Sequence, residues 1–495
     1  MLKTKVNIIP EHFAATISIV AGIMAFLSRL GFDNNGLLII KSILISLFVI
    51  FSPHILKTWL IKRTNDQWYI SKAFLLLLCL TVLVLAGRFS LAVNIDISYF
   101  FLLLGATVFL ATLITYNKEV DVRIKFMIYP LFLLFAVFVT SAYSEGFYYH
   151  PLMKEKIITG AWAHREAIWH ANIAEMLKTY GVSSTGTDGL VPLYYHTFSH
   201  FMYGSISGLL RINSMTFYSI VVPILFIPLF FLNFVWCVKE VRKYFKEKFN
   251  FNMVDESDIR YWLAMIVIFS IQHRLGSLAT SHGTAQLLTF ILIAIVFSAI
   301  NKYQVRKKSI VTTSDMFLIL LILLCYLCIS FSKLSFLYLI GVSYGYLFIR
   351  FKFYKTLLHS LIILGFGLVA IYMYIYFVVP FQGGVSTINY STDIGLFSYY
   401  KGEVLGYLFY IYPSLVYIIF KIYCLKIRSF SVFIKNIKES NLIDIELLLI
   451  LMVASFIPPY PWFIQMQMYI AYILLLSHLA LFFSELPNEK QYMKT

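Results

Sequence analysis

The stretch ISKAFLLLLCLTVLVLAGRFS, residues 70–90, decides the fold class of this chain. Most of its side chains are apolar, and about 20 such residues in a helix are enough to cross the hydrocarbon core of a bilayer. Across the whole chain 60% of the 495 residues are hydrophobic and only 13% are charged. No soluble fold can bury that much apolar surface, so the sequence predicts an all-α, polytopic integral membrane helix bundle.

Similar apolar runs recur along the chain and predict about 12 to 14 transmembrane helices in a single membrane domain, 1–495. The number is left open because the run at 261–275 is short, and because the tight turn at Ser332–Ser335 could be a kink within one long helix. The predicted spans lie near residues 12–31, 37–56, 70–90, 97–116, 126–144, 214–237, 261–275, 283–301, 314–331, 334–350, 356–380, 403–422, 442–459 and 462–483.

The net charge of +16 is spread over the segments between the spans. This distribution is typical of basic cytoplasmic loops beside anionic lipid, and it argues against a nucleic-acid-binding protein. The bias of Lys and Arg toward the cytoplasmic segments predicts a multi-pass protein with both termini in the cytoplasm. It also predicts a basic cytoplasmic loop at 238–260. The five cysteines lie in or near spans, so we expect no disulfide framework.

The longest stretch without a clear span, residues 145–212, then lies on the extracytoplasmic side. Its tryptophans, tyrosines and aliphatic residues argue against disorder. We expect an amphipathic interfacial helix over 161–180, followed by the turn-rich sequence GVSSTGTDG at 181–189. A half-buried or re-entrant helix over 190–210, entered after Pro192, should follow. The stretch therefore forms one large extracytoplasmic loop subdomain.

Histidine is concentrated on this predicted outer side, where it suits acid–base work, anion binding or metal binding. Glu166 and His170 are four residues apart and share a helix face, as a functional pair or as a surface ion pair. His196 and His200 have the same spacing, but the glutamate of a zinc HEXXH motif is absent. They could line a polar cavity, pack as buried histidines or ligate a metal. Seven of the 11 histidines are on this side: His150, His164, His170, His196, His200, His273 and His282.

Three outer cations lie near predicted helix ends, namely Arg165, Arg274 and Lys333. A charge at such a place needs a partner or must reach the lipid headgroups. A lipid-linked diphosphate and ordinary lipid phosphate are both suitable partners. Asp188, in the sequence TGTDGL, could be a catalytic base or a turn residue.

The polytopic pattern with an outer loop rich in histidine, carboxylate and cations resembles the GT-C class of membrane glycosyltransferases. Within that class the chain is similar to bacterial polysaccharide polymerases of the O-antigen type. The segment HANIAEMLKTYGVSSTGTDGLVPLYYHTFSH is similar to a motif in membrane proteins of polysaccharide loci. The matching residues are His170, Gly181, Ser184, Thr185, Gly186, Asp188, Gly189, Tyr195, His196, Ser199 and His200.

This resemblance implies transfer of sugar from a polyprenyl-diphosphate carrier at the outer face of the bacterial inner membrane, during assembly of lipopolysaccharide O-antigen or capsule. No cofactor and no metal are expected, and chain-length regulators or other assembly proteins are the implied partners. Glu166, His170 or Asp188 would deprotonate the acceptor hydroxyl. The implied substrate-binding residues are His164, Arg165, Tyr195, His196, His200, Arg274, His282 and Lys333.

Two other functions stay open. A flippase for lipid-linked oligosaccharide would need charged residues near the centres of the spans and two pseudo-symmetric halves. Most of the predicted spans lack central charges, and the polar residues are concentrated on one side. A scaffold or receptor would not need histidines, carboxylates and cations on the outer face.

Overall fold

All regular secondary structure in the described part of the chain is helical, as the sequence predicts. The computed structural model describes residues 36–64, 71–116, 165–186, 190, 192–193, 197–249, 281–305, 313–350, 357–373, 375, 414–419, 422, 427–438, 442, 445–446 and 448–450. The helices are α1 (Gly36–Thr64), α2 (Lys72–Ala92), α3 (Ser98–Tyr116), α4 (Arg165–Thr179), α5 (Phe198–Leu209), α6 (Val222–Phe249), α7 (Ser281–Val305), α8 (Thr313–Ser332), α9 (Leu334–Arg350), α10 (Leu357–Met373) and α11 (Phe430–Lys438).

Three of the described helices contain segments long and apolar enough to cross a membrane: Gly36–Leu60, Lys72–Ala92 and Ile224–Lys243. Shorter apolar segments lie in α3, α7, α8 and α10. This architecture is compatible with a membrane helical bundle. The spans predicted at 12–31, 126–144, 261–275 and 462–483 lie outside the described residues.

Helix α6 begins and ends differently from the span predicted at 214–237. A short helical turn, Ser214–Thr216, and a π-helical segment, Phe217–Val221, lead directly into it. The Asn213 side chain caps this start by accepting the Thr216 N–H at 2.7 Å. At the other end the helix continues to Phe249, so the first half of the basic segment predicted as a loop is helical.

The chain divides into two compact units, Met1–Glu240 with Asp255–Lys302, and Val241–Val254 with Tyr303–Thr495. In the first unit, α1 packs against α2 and α3, and α5 packs against both α2 and α4. Glycine allows these close approaches. A Cβ at Gly87 would lie within 3.0 Å of the carbonyl oxygen of Ser205, and one at Gly204 within 3.0 Å of that of Ala174.

In the second unit, α8, α9 and α10 pack against one another. The Tyr326 hydroxyl of α8 donates to the carbonyl of Leu337 in α9 at 2.9 Å, and the Tyr326 ring stacks on Phe366 of α10. A continuous helix would hold residues 326 and 337 about 16 Å apart. A straight helix over this region is therefore excluded, and the chain bends sharply at Ser332–Ser335, where Lys333 separates two helices.

Candidate functional site

The site is built on α4 and α5, two helices from the polar stretch predicted at 145–212. Helix α4 spans Arg165–Thr179, within the helix expected at 161–180. Its buried residues recur three or four positions apart and pack against α5, where Gly204 allows the two backbones to approach closely. Helix α5 therefore covers the apolar face of α4, which the sequence predicted to lie at the membrane interface. The buried residues of this face are His170, Ala171, Ile173, Ala174 and Leu177.

Helix α4 ends as the turn-rich sequence predicts. Gly181 follows the helix with a φ of 71°, the left-handed conformation that commonly terminates helices. Gly186 has a φ of 75° and donates its N–H to the Ser184 hydroxyl at 3.1 Å. The chain then enters α5, which is mostly buried and begins at Phe198. At about 18 Å long, α5 is too short to cross a bilayer by itself, and its re-entrant position stays a prediction.

The central feature of the site is a hydrogen bond between two buried histidines, one from each helix. Nδ1 of His170 lies 2.7 Å from Nε2 of His200. The rings are nearly parallel, with centroids 4.9 Å apart. Trp169 lies edge-on to both rings, and the Ser199 hydroxyl lies 3.4 Å from Nδ1 of His200. His170 is 4% exposed and His200 is 0% exposed, so His170 alone of the two presents any surface.

This geometry limits how many protons the histidine pair can hold. One proton must lie between Nδ1 of His170 and Nε2 of His200, because a hydrogen bond needs one donor and one acceptor. The neutral pair can take up one more proton on an outer nitrogen without breaking this bond. A second additional proton would place two N–H groups against each other and two charges in a buried place. The pair is therefore suited to accept and release a single proton.

A second polar cluster holds α4 to the turn before α6. Lys178 pairs with Glu175 at 2.6 Å and donates to the Ile212 carbonyl at 3.0 Å. Glu175 also accepts the Ser214 N–H at 2.7 Å. Desolvation acts to raise the pKa of Glu175, but the bonds from Lys178 and Ser214 outweigh it and lower the pKa. The cluster therefore fixes the C-terminal end of α4 to the segment that follows α5.

Glu175→Gln is expected to destabilise the protein by about 1 kcal/mol at neutral pH, since the amide still accepts the Ser214 N–H but no longer pairs with Lys178. A lowered folded-state pKa stabilises the protein above the ordinary glutamate pKa of about 4.3 and loses this effect as the pH falls through the folded value. The difference in thermal midpoint between wild type and variant in detergent should therefore shrink in acid. A difference that is the same at neutral and acid pH would contradict the assignment.

Arg88 is a cation near this site that the sequence reasoning missed. It lies in α2, donates from Nη1 to the Leu177 carbonyl of α4 at 3.0 Å, and its guanidinium lies 4.8 Å from the centroid of the Phe201 ring in α5. The contacts join the three helices α2, α4 and α5. A single arginine within a predicted span was the signal that could have identified it.

Polar contacts also fix the turn between α2 and α3 to the segment that follows α5. Arg211, which follows α5, donates to the Asn94 side chain at 2.9 Å and to the Ser90 carbonyl at 3.2 Å. Asp96 accepts the N–H and the hydroxyl of Ser98. Desolvation acts to raise the pKa of Asp96, but these bonds and the charges of Lys41 and Arg211 lower it. The polar contacts of this end of the first unit thus extend across α2, α3, α4 and α5.

Of the predicted site residues, the structure brings His170 and His200 together. Lys333 lies in the turn between α8 and α9, in the second unit. The Tyr203 hydroxyl of α5 lies 3.0 Å from that of Thr284, which brings the first turn of α7 beside α5. Arg165, Glu166 and His282 lie on helices but their side chains are not described, and His164, Asp188, Tyr195, His196 and Arg274 are outside the described residues.

Comparison with known proteins does not assign the chain to a family. Within the described residues, no group of three or more His, Cys, Asp or Glu side chains is arranged to hold a metal ion. No family model matches the chain, and neither does any curated protein or solved structure.

Proposed function

We propose that the protein is a membrane glycosyltransferase of the polysaccharide polymerase type. It acts on polyprenyl-diphosphate-linked sugars at the extracytoplasmic face of the bacterial inner membrane, in assembly of O-antigen or capsule. The observation that supports this best is the buried His170–His200 hydrogen bond on the two helices of the polar stretch. Such a pair supplies the acid–base group that this transfer requires.

The chemistry needs one proton acceptor. The acceptor hydroxyl loses its proton, its oxygen forms a bond to the anomeric carbon, and the bond from that carbon to the diphosphate oxygen breaks. The lipid diphosphate leaves as an anion. Among the three candidate bases, His170 is favoured because it presents surface while its other ring nitrogen is held by His200. The pair then takes up the proton without a second buried charge.

The leaving diphosphate needs cations. Arg165 and Arg274 keep this role as a prediction, and Arg88 joins them because it already contacts both helices of the site. A guanidinium has five N–H donors and is always charged, and the bond to the Leu177 carbonyl uses one donor of Arg88. Arg88 is therefore able to hold the helices and still donate to a phosphate oxygen.

The test is deletion of the gene in its host, with surface polysaccharide separated by length on a gel. If the protein is the polymerase, the deletion strain will carry single repeat units where the wild type shows a ladder, and the wild-type gene will restore the ladder. Unchanged long polymer would remove the polymerase proposal.

A flippase for lipid-linked oligosaccharide is the second candidate, and one observation favours it. Asn233 in α6 and Gln286 in α7 are buried within predicted spans. Their Oδ1 and Nε2 atoms have no hydrogen-bond partner among the described residues. Polar groups inside a membrane often mark a path for polar substrates. The same deletion separates the two functions, because loss of a flippase leaves lipid-linked units on the cytoplasmic face.

A further inference from the structure

A short amphipathic helix in the second unit, α11, has no role in the proposed transfer. It spans Phe430–Lys438, between the spans predicted at 403–422 and 442–459. Its apolar side chains recur every three or four positions and form one face, whereas Ser431 and Lys435 lie on the opposite side. The apolar face consists of Phe430, Phe433, Ile434 and Ile437.

Protein covers only part of that face. Phe433 and Ile437 pack against a buried cluster formed by Tyr417, Leu442, Ile445 and Leu448. Arg350 holds the end of the helix by donating to the Ile437 carbonyl, and it pairs with Glu446 at 2.9 Å. Phe430 extends past the cluster, and its ring contacts Phe433 but is 77% exposed. The helix is therefore anchored at one end and presents a large apolar ring at the other.

The sequence around the exposed ring is rich in positive charge. Residues 421–438 contain five Lys or Arg and no Asp or Glu. Arg428 is exposed just before the helix begins, and Lys435 is exposed on the side opposite the apolar face. An exposed aromatic ring with flanking cations is the pattern of a helix that lies in a lipid headgroup layer, with its ring in the acyl boundary and its cations on anionic phosphates.

We propose that α11 is an interfacial helix that binds anionic phospholipid, with Phe430 inserted below the headgroups and Arg428 bound to lipid phosphate. The two predicted spans on either side keep the helix within reach of the bilayer surface. Charge complementarity selects an anionic surface over a neutral one. The occupant of the exposed face is thus lipid and not a second copy of the chain.

The test places an environment-sensitive fluorescent amino acid at residue 430 of the full-length protein, and at residue 435 in a matched control. The purified proteins are reconstituted into vesicles of pure phosphatidylcholine or of phosphatidylcholine with phosphatidylglycerol. Emission and quenching by aqueous iodide are recorded. Because Phe430 is mostly exposed, the label should not disturb packing.

With phosphatidylglycerol, the label at 430 should shift to shorter wavelength and become shielded from iodide, whereas the label at 435 stays accessible. Arg428→Gln should weaken this lipid-dependent docking by about fivefold, and high salt should weaken it further. Equal shielding in both kinds of vesicle, or equal accessibility in both, would overturn the proposal. Shielding that depends on protein concentration in detergent would assign the face to a second copy and would also overturn it.

Discussion

His170→Asn and His200→Gln are each expected to lower the rate of sugar transfer by about 10² to 10⁴-fold, the usual contribution of a general acid–base group. Asparagine places an amide where Nδ1 of His170 lies, and glutamine places one near Nε2 of His200. Each amide can keep a hydrogen bond across the 2.7 Å gap between the helices. Neither amide can take up a proton, so these variants separate proton transfer from packing.

The measurement is complementation of the deletion strain with each variant, followed by the length distribution of surface polysaccharide and by immunoblotting for protein level. Thr179→Ala is the matched control, because Thr179 is exposed at the end of the same helix and lies outside the site. We expect normal protein level, a normal ladder for the control and single repeat units for both histidine variants. Normal ladders from the two amide variants would show that the pair has a packing role only.

Hydropathy predicts the positions of the described apolar helices well but not the ends of these helices. Eight of the predicted spans coincide with described helices, including the one at 70–90. Helix α6 nevertheless continues to Phe249, beyond the predicted span end at 237. An apolar run marks the part of a helix that fits the hydrocarbon, whereas Lys, Arg and Glu are good helix formers and allow the helix to continue outside it.

Two histidines of the site were predictable from the sequence, but their pairing was not. The sequence indicated His170 and His200 as site residues, but it predicted Glu166 and His196 as their partners. Spacing in the sequence reports only which residues share a face of the same helix. The observed partners are 30 residues apart, on two helices. Their contact depends on the close approach of α4 and α5 at Gly204, and no periodicity in either helix alone reports that approach.

Gly87→Ala is expected to prevent correct packing of α2 against α5. A Cβ at this position would lie within 3.0 Å of the Ser205 carbonyl oxygen, an atom of the backbone that cannot move without its helix. The two helices would have to separate, which also disturbs the contact of Gly208 with Leu91 one turn further along α5. Overpacking of a core costs about 1–3 kcal/mol, and a clash with backbone should reach about 3 kcal/mol or more.

Gly367→Ala in α10 is the matched control, because a Cβ there would meet no atom within 4 Å. In a helix interior, alanine is favoured over glycine by about 0.5–1 kcal/mol, so this variant should be as stable as the wild type or slightly more so. The measurement is yield of monodisperse protein in detergent, together with its thermal midpoint. Gly87→Ala should lose most of its folded yield. Since α5 carries His200, any Gly87→Ala protein that does fold should have an impaired histidine pair and make shorter polymer. A Gly87→Ala protein with normal yield and midpoint would contradict the close α2–α5 contact.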